Sequence, residues 1–333
     1  MRFHLSEEQR AIQDTVRGTL ADVWPIDRMH AFADAEADHD PNSWQALMAL
    51  GLAGLMVGEA EGGAGLGLLD AALVCEVAGG AAAPGPIAAQ MLAAWAMSAS
   101  DQPGARALLP ALLSGEAVAT LVTTAGHAES ARAATHFLIV DAAGVALVEA
   151  GAARITPLRS TDRTRKLSTV EVGGGPRLAL FAAGHPIAER LIDAALILTA
   201  ADALGGAQRC TDMAVAYAKE RVQFGQPIGR FQALKLQLAH MALDVEPARA
   251  LVWYAAYAWD AALPDAPRAA ALAKAHLTDR YVTISRAAVA AHGGIGYTWE
   301  YGLNYWFRRA VFDRAWLGSP ALHRARAADL AGW

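Results

Sequence analysis

Between Val118 and Gly184 the apolar residues stop recurring every three to four positions and gather into short β-branched runs, with helical spacing on either side. Val118 to Thr124, His136 to Val140, Val145 to Val148, Ser168 to Val172 and Leu178 to Phe181 all have strand length. Turns containing Gly and Asp, and the run Gly173-Gly-Gly-Pro176, separate them. A small antiparallel unit is predicted there. Helices, then a few short strands, then helices again confine the chain to a mainly α fold with a small β domain. The expected division is an N-terminal helical domain over 1–117, a shortened middle β domain over 118–184 and a C-terminal four-helix bundle over 185–333.

The flanks carry local helix signals. Ser6 precedes Glu7, Glu8 and Gln9, the pattern of an N-cap with an acidic first turn, and Ile12, Val16 and Leu20 then share a face. Trp44, Leu47 and Met48 read as a short helix stopped at Gly51. Val74, Val77 and Ala78 belong to a helix that Pro84 and Pro86 end. The glycine-rich stretch from Glu59 to Gly67 lacks both the spacing and the preceding strand of a nucleotide fingerprint, so it reads as a loop. Further helices are expected over about 186–219, along Ile228, Phe231, Leu234, Leu238 and Val245, from about Pro267 to Ala291, and from about Glu300 onward.

Composition excludes several classes. Apolar residues are 54% and charged residues 18%, which rules out a disordered chain and suits either a large core or a large interface. Val77 to Ser100 carries no charge, yet its Ala and Gly content, Pro84, Pro86 and Gln90 deny it the continuous apolarity that about 20 spanning residues need. No apolar run follows Arg2, unlike a secretory leader. A net charge of −5 argues against a nucleic-acid partner. Cys75 and Cys210 stand alone without a CxxC pair or clustered His, so neither a disulfide framework nor a metal site is expected. The expectation is a cytoplasmic protein without membrane contact.

Two long motifs carry a resemblance. Arg221-Val-Gln-Phe-Gly-Gln-Pro-Ile-Gly-Arg-Phe-Gln232 and His292-Gly-Gly-Ile-Gly-Tyr-Thr-Trp-Glu300, the latter followed by Arg308-Arg-Ala310, resemble the two C-terminal signatures of the acyl-CoA dehydrogenase family. Trp44 to Gly65 is similar to that family's N-terminal pattern, and Asp162-Arg-Thr-Arg165 to the end of its β domain. The likeness implies the three-domain fold and FAD as cofactor, shared across a subunit interface. It also implies that Arg221, Phe224 and Gln232, with Gln223 beside them, contact the FAD of a neighbouring subunit. A guanidinium offers a planar donor fork that suits pyrophosphate oxygens, and Gly293 and Gly294 let a backbone come close because no Cβ intervenes. The competing role for Arg221 is an ion pair with a nearby carboxylate.

The departures from the family pattern matter as much. The family's base is a Glu just before a Gly-Thr pair; the matching stretch is Trp316-Leu-Gly-Ser319, which puts Leu317 there. Some members carry the base about 26 residues before the signature Arg, and that position holds Ala195. Neither accepts a proton. Asp193 lies about 200° around the helix from Ala195, while Asp202 shares its face about 10 Å along the axis. Asp202 is therefore the one nearby candidate base, and only in a shifted substrate pose, with a capping or ion-paired role as the alternative. The Thr-Glu-Pro segment that beds the flavin is only loosely matched by Thr123 to Ser130. The Trp strand has no counterpart, since no Trp lies between Trp95 and Trp253, and Ala290 replaces a usual Gln.

The chain thus resembles the short subunit of heteromeric bacterial acyl-CoA dehydrogenases, in which a full-length subunit supplies the base and flavin bed. This implies an acyl-CoA substrate, a full-length partner or a dimer or tetramer, and no turnover by this chain alone. A self-sufficient flavoprotein with an unassigned base and a flavin-free structural relative are the alternatives. Arg308, Arg309, Arg314, His323, Arg324 and Arg326 could meet CoA phosphates, but a solvated basic face or subunit ion pairs is the favoured account of them.

Overall fold

A computed structural model describes residues 4–333, so Arg2 and its immediate neighbours lie outside the described residues. Helix α1 (Glu7–Val23) opens with a reciprocal cap: Ser6 Oγ accepts from the Gln9 N–H, and the Gln9 side chain accepts from the Ser6 N–H. After α2 (Ile26–Asp34), Asp40 caps α3 (Pro41–Ala49), which Gly51 stops at φ +78°. Helices α4 (Leu68–Gly80), α5 (Ile87–Ser98) and α6 (Pro103–Leu113) follow. The uncharged run is the end of α4, the proline break and α5, buried on nearly every side. Among the described residues, no helix is long and apolar enough to cross a membrane.

Seven strands come next: β1 (Ala119–Val122), β2 (His127–Glu129), β3 (His136–Asp141), β4 (Gly144–Glu149), β5 (Ala153–Leu158), β6 (Leu167–Val172) and β7 (Leu178–Ala182). They form two sheets, in the orders β1-β3-β4-β7 and β2-β6-β5. The expectation of a purely antiparallel unit is corrected, because β1 and β3 run parallel with Ala119 opposite His136. The chain leaves the first sheet for β2, which bonds to β6, and re-enters at β3 from the same end as β1. Two strands escaped the sequence reading. β2 is three residues long, and β5 carries Pro157, tolerated because β5 is an edge strand. Alternation along β3 serves two cores: Leu138 joins the main core, while Phe137 and Ile139 pack with Val148 and Val170 between the sheets.

Helix α7 (Ile187–Glu220) leads through a tight hairpin, β8 (Val222–Gln223) and β9 (Gln226–Pro227), into α8 (Gln232–Asp260); α9 (Ala266–His292) and α10 (Leu303–Ala315) complete the four expected helices. A short further helix, α11 (Pro320–Asp329), packs on α9 beside those four. Leu317 at φ +58° and Gly318 at φ +106° interrupt the helical path, after which Ser319 caps a new start with Pro320 in its first turn. Helices α4 and α7 meet backbone to backbone: a Cβ on Gly205 would lie 1.7 Å from Glu76 O, and one on Gly79 2.0 Å from Asp202 O. Only glycine permits that approach, and it sets Asp202 against the N-terminal helices.

Candidate functional site

The antiparallel run of α7, α8 and α9 brings their ends together. Helix α7 finishes at Glu220, α8 begins at Gln232 after the hairpin, and α9 returns to finish at His292. Gln237 Nε2 donates to Ala287 O at 2.9 Å, tying the start of α8 to the end of α9. Arg221, Gln223, Phe224, Gln232, Gly293 and Gly294 therefore sit at one end of the bundle, and all are exposed. Among the described residues the Arg221 guanidinium has no hydrogen-bond or ion-pair partner, while Gln223 Nε2 donates to Val222 O at 2.8 Å. No atom lies within 4 Å of a Cβ built on Gly293 or Gly294, so the space beside them is open. A groove of about 350 Å³ continues along α8 and α9, lined by Leu236, Gln237, His240, Ile284 and Ala287 among others.

The tip of the hairpin is strained and apolar. Phe224 and Gly225 have φ of +51° and +80°, as a two-residue hairpin turn requires, but Phe carries a Cβ into that region and is 92% exposed. Val222 in the same hairpin is exposed, as are Ile295 and Tyr297 just after α9. Strain plus exposed apolar surface marks a place used by something else. Phe224→Asn is expected to stabilise the isolated chain by about 0.5–1 kcal/mol in urea titrations, since Asn enters this region more readily. A loss of stability would show that the edge-to-face contact of Phe224 with Phe231, ring centroids 6.0 Å apart, outweighs the relief of strain.

The two family base positions flank a second feature, inside the molecule. Ala195 is buried on α7 and its carbonyl accepts from Thr199 Oγ1 at 2.8 Å; Leu317 is partly buried next to Trp316. Leu198, Thr199 and Asp202 from α7, Cys75 and Ala78 from α4, Ile87 and Ala88 from α5, Trp316, Glu129 and Arg165 line a cavity of about 30 Å³. Asp202 reaches it, but its Oδ1 lies 2.8 Å from Arg165 and 3.6 Å from Arg309. Arg165 also meets Asp313 at 2.5 Å and Glu129 at 3.3 Å. Burial, reinforced by the charge of Asp202, pushes the Asp313 carboxyl well above the carboxylate range; burial also raises Glu129 and the Cys75 thiol. Asp193 points away and pairs with Arg326 at 2.7 Å.

The C-terminal basic residues do not make one solvated face. Arg309 is fully buried, donating to Asp162 at 2.9 Å, Thr164 Oγ1 at 2.6 Å and Ala83 O at 2.9 Å. Arg314 and Arg324 both pair with Asp279, and His323 Nε2 bonds Leu317 O at 2.9 Å. The partners of the arginines come from α7, α9, the β region and the α4–α5 connection, which sequence spacing does not reveal. The sequence reading also missed Glu129 and Asp313 as individual residues, although Glu129 lies within the Thr123 to Ser130 segment and Asp313 just after Arg308-Arg-Ala310. In the Thr123 to Ser130 segment, Thr123 Oγ1 accepts from the His127 N–H and Ser130 Oγ donates to Asp38 O, so these hydroxyls serve the turn and a neighbouring loop.

Lys274 on α9 holds the Leu317 loop from below. Its buried ammonium donates to Asp313 O at 2.9 Å and Gly318 O at 3.2 Å, and burial pulls it down to about 8 from 10.5. Between those values the unfolded chain holds a proton that the folded chain has shed, so this group makes stability rise with pH across the window. Wild type is expected to gain about 3 kcal/mol relative to Lys274→Met over that range. Denaturant titrations at about pH 7.5, 9 and 10.5 check it. Parallel profiles would contradict it.

Comparison with known proteins agrees with this layout. Residues 6–116 match the acyl-CoA dehydrogenase N-terminal domain, and residues 182–331 the acyl-CoA dehydrogenase C-terminal domain. The chain is 33% identical over 317 residues to acyl-CoA dehydrogenase IpdE2 of Mycolicibacterium smegmatis, covering 95% of this chain and 96% of that protein. It superposes on the Tcur3481-Tcur3483 steroid ACAD with a TM-score of 0.90 and 27% identity over 98% of each chain. On the ChsE4-ChsE5 complex from Mycobacterium tuberculosis the TM-score is 0.88, with 23% identity over 100% of this chain and 99% of that one. A relative one-third identical along almost its whole length turns the likeness of the Arg221 and His292 signatures into kinship, and the chain belongs to the acyl-CoA dehydrogenase family.

Proposed function

We propose that this chain is the abbreviated subunit of a heteromeric FAD-dependent acyl-CoA dehydrogenase, with domains over 1–117, 118–184 and 185–333. In this reading it completes the flavin site of a full-length partner and has no base of its own. One contrast carries it: the end holding Arg221 and Phe224 is open, with the Arg221 guanidinium unpartnered among the described residues and Phe224 92% exposed at positive φ, while aliphatic side chains stand at both base positions. Family members are FAD-dependent oxidoreductases, and the residues at the open end suit a dinucleotide. Arg221 presents a donor fork to pyrophosphate oxygens. Phe224, Gln223 and Gln232 stand beside it, and Gly293 and Gly294 leave room for close backbone approach. Bound FAD supplies hydride acceptance; this chain's part is to hold the dinucleotide and exclude water from it. The ChsE4-ChsE5 structure is a complex, and that precedent, carried over here, supports a partner subunit.

The test is colour. Protein purified alone is expected to be colourless, and protein co-expressed with a full-length family member yellow. Arg221→Ala in that complex should weaken FAD retention about 10- to 100-fold, the loss of a charge-assisted hydrogen bond. A chain yellow on its own would favour a self-sufficient flavoprotein. Absence of colour in both preparations would point to a flavin-free binding protein.

A further inference from the structure

We infer that Tyr217, His292 and Tyr301 form an aromatic lock that holds the Arg221 hairpin and the glycine loop after α9 in one fixed relation. The inference rests on the reading above, that this end of the bundle holds a dinucleotide, and it makes His292 and Tyr301 positioning residues for that group. The lock joins the two signatures, which are far apart in sequence. The Arg221 N–H donates to Tyr217 O at 2.8 Å, and the Ile228 N–H donates to Arg221 O at 2.8 Å to close the hairpin. His292 is the last residue of α9 and directly precedes Gly293. Its ring stacks on Tyr217 with centroids 4.5 Å apart and planes 26° from parallel. Tyr301 lies 4.8 Å from the imidazole and meets Tyr217 edge-on at 6.1 Å. Rings from α7, α9 and the segment entering α10 thus converge.

The hydrogen bonds of the imidazole fix its tautomer. Nδ1 lies 2.7 Å from Ala288 O, which can only accept, so Nδ1 carries the proton. Nε2 is then a lone pair and accepts from the Tyr301 hydroxyl at 2.9 Å. His292 is only 4% exposed, and burial holds it below the ordinary imidazole range, which keeps the ring neutral. Both nitrogens are spent on holding, and neither is free to move a proton. The loop above has little room to relax. Gly293 sits at φ +65° and ψ −141°, and a Cβ on Gly296 would come within 2.9 Å of His292 Cβ. Tyr301 is placed by its own segment, where Asn304 Nδ2 donates to Thr298 O at 3.0 Å. The phenol therefore ties the end of α9 to the start of α10, and the stack ties it to the end of α7.

Tyr301→Phe tests the lock, since it removes one oxygen and keeps all three rings. It leaves the buried Nε2 lone pair without a donor. In the complex with a full-length partner the variant should hold FAD about 3- to 10-fold less tightly. A purely structural bond would cost the same whatever stands at 221. Most of the loss should instead vanish in the Arg221→Ala background, because misplacing a guanidinium costs nothing once it has been removed. Hydrogen exchange on the chain alone gives a second readout. The amides of Arg221, Ile228 and Gly293 should all exchange about 3- to 10-fold faster in Tyr301→Phe. Unchanged FAD retention, equal losses in both backgrounds, or faster exchange confined to the neighbours of Tyr301 would overturn the inference and leave the shared-flavin reading standing. A colourless complex would overturn that reading, and the exchange rates would still show whether the two ends are locked together.

Discussion

Replacing Arg309 by methionine is expected to lower the free energy of unfolding by about 3–5 kcal/mol, the cost of removing one partner from a buried ion pair. Arg309 has no exposed surface and divides its donors among Asp162, Thr164 and the Ala83 carbonyl, so methionine strands a carboxylate and a carbonyl at once. Lysine should rescue little. A single ammonium cannot serve three acceptors arranged for a planar fork. Neutralising the stranded acid as well, with Arg309→Met and Asp162→Asn together, should recover part of the loss through the coupling expected of contacting residues. Equilibrium urea unfolding at constant m-value measures all three. A loss below about 1 kcal/mol for Arg309→Met would mean that water reaches the cluster after all.

The second large effect concerns turnover. Mixed anaerobically with straight-chain, branched and steroid acyl-CoAs, the protein without a partner is expected to reduce flavin no faster than background. Removal of the α-proton has no positioned acceptor at Leu317 or Ala195, and general-base assistance is worth about 10² to 10⁴-fold. Leu317→Glu alone should restore little. It would return a carboxylate to a loop still at φ +58°, but in the proposed reading the flavin comes from the partner, and the cavity beside that loop, lined by Arg165, measures only about 30 Å³. The same substitution tested in the complex separates the two causes. Rapid bleaching by the unpartnered protein with any substrate would make Asp202, whose Oδ2 has no hydrogen-bond partner, the first residue to replace.

Local features were legible because their causes lie within a few residues. The Ser6 and Gln9 cap, the Gly51 stop, five of the seven strands between Ala119 and Ala182, and the aliphatic residues at both base positions follow from neighbours in sequence. The hairpin carrying Phe224 and Gly225 is equally local, and so was its place in the Arg221 motif. Tertiary structure alone decided the rest. Parallel pairing of β1 with β3 depends on which sheet receives β2, a choice made by packing. The fate of the arginines depends on partners far along the chain: Arg165 finds Asp202 at a separation of 37 residues and Asp313 at 148. A charge is read from sequence as a solvated group by default. Whether it is instead buried, and against what, is settled only when distant segments converge and the cost of desolvating each ion is met by opposite charges waiting there.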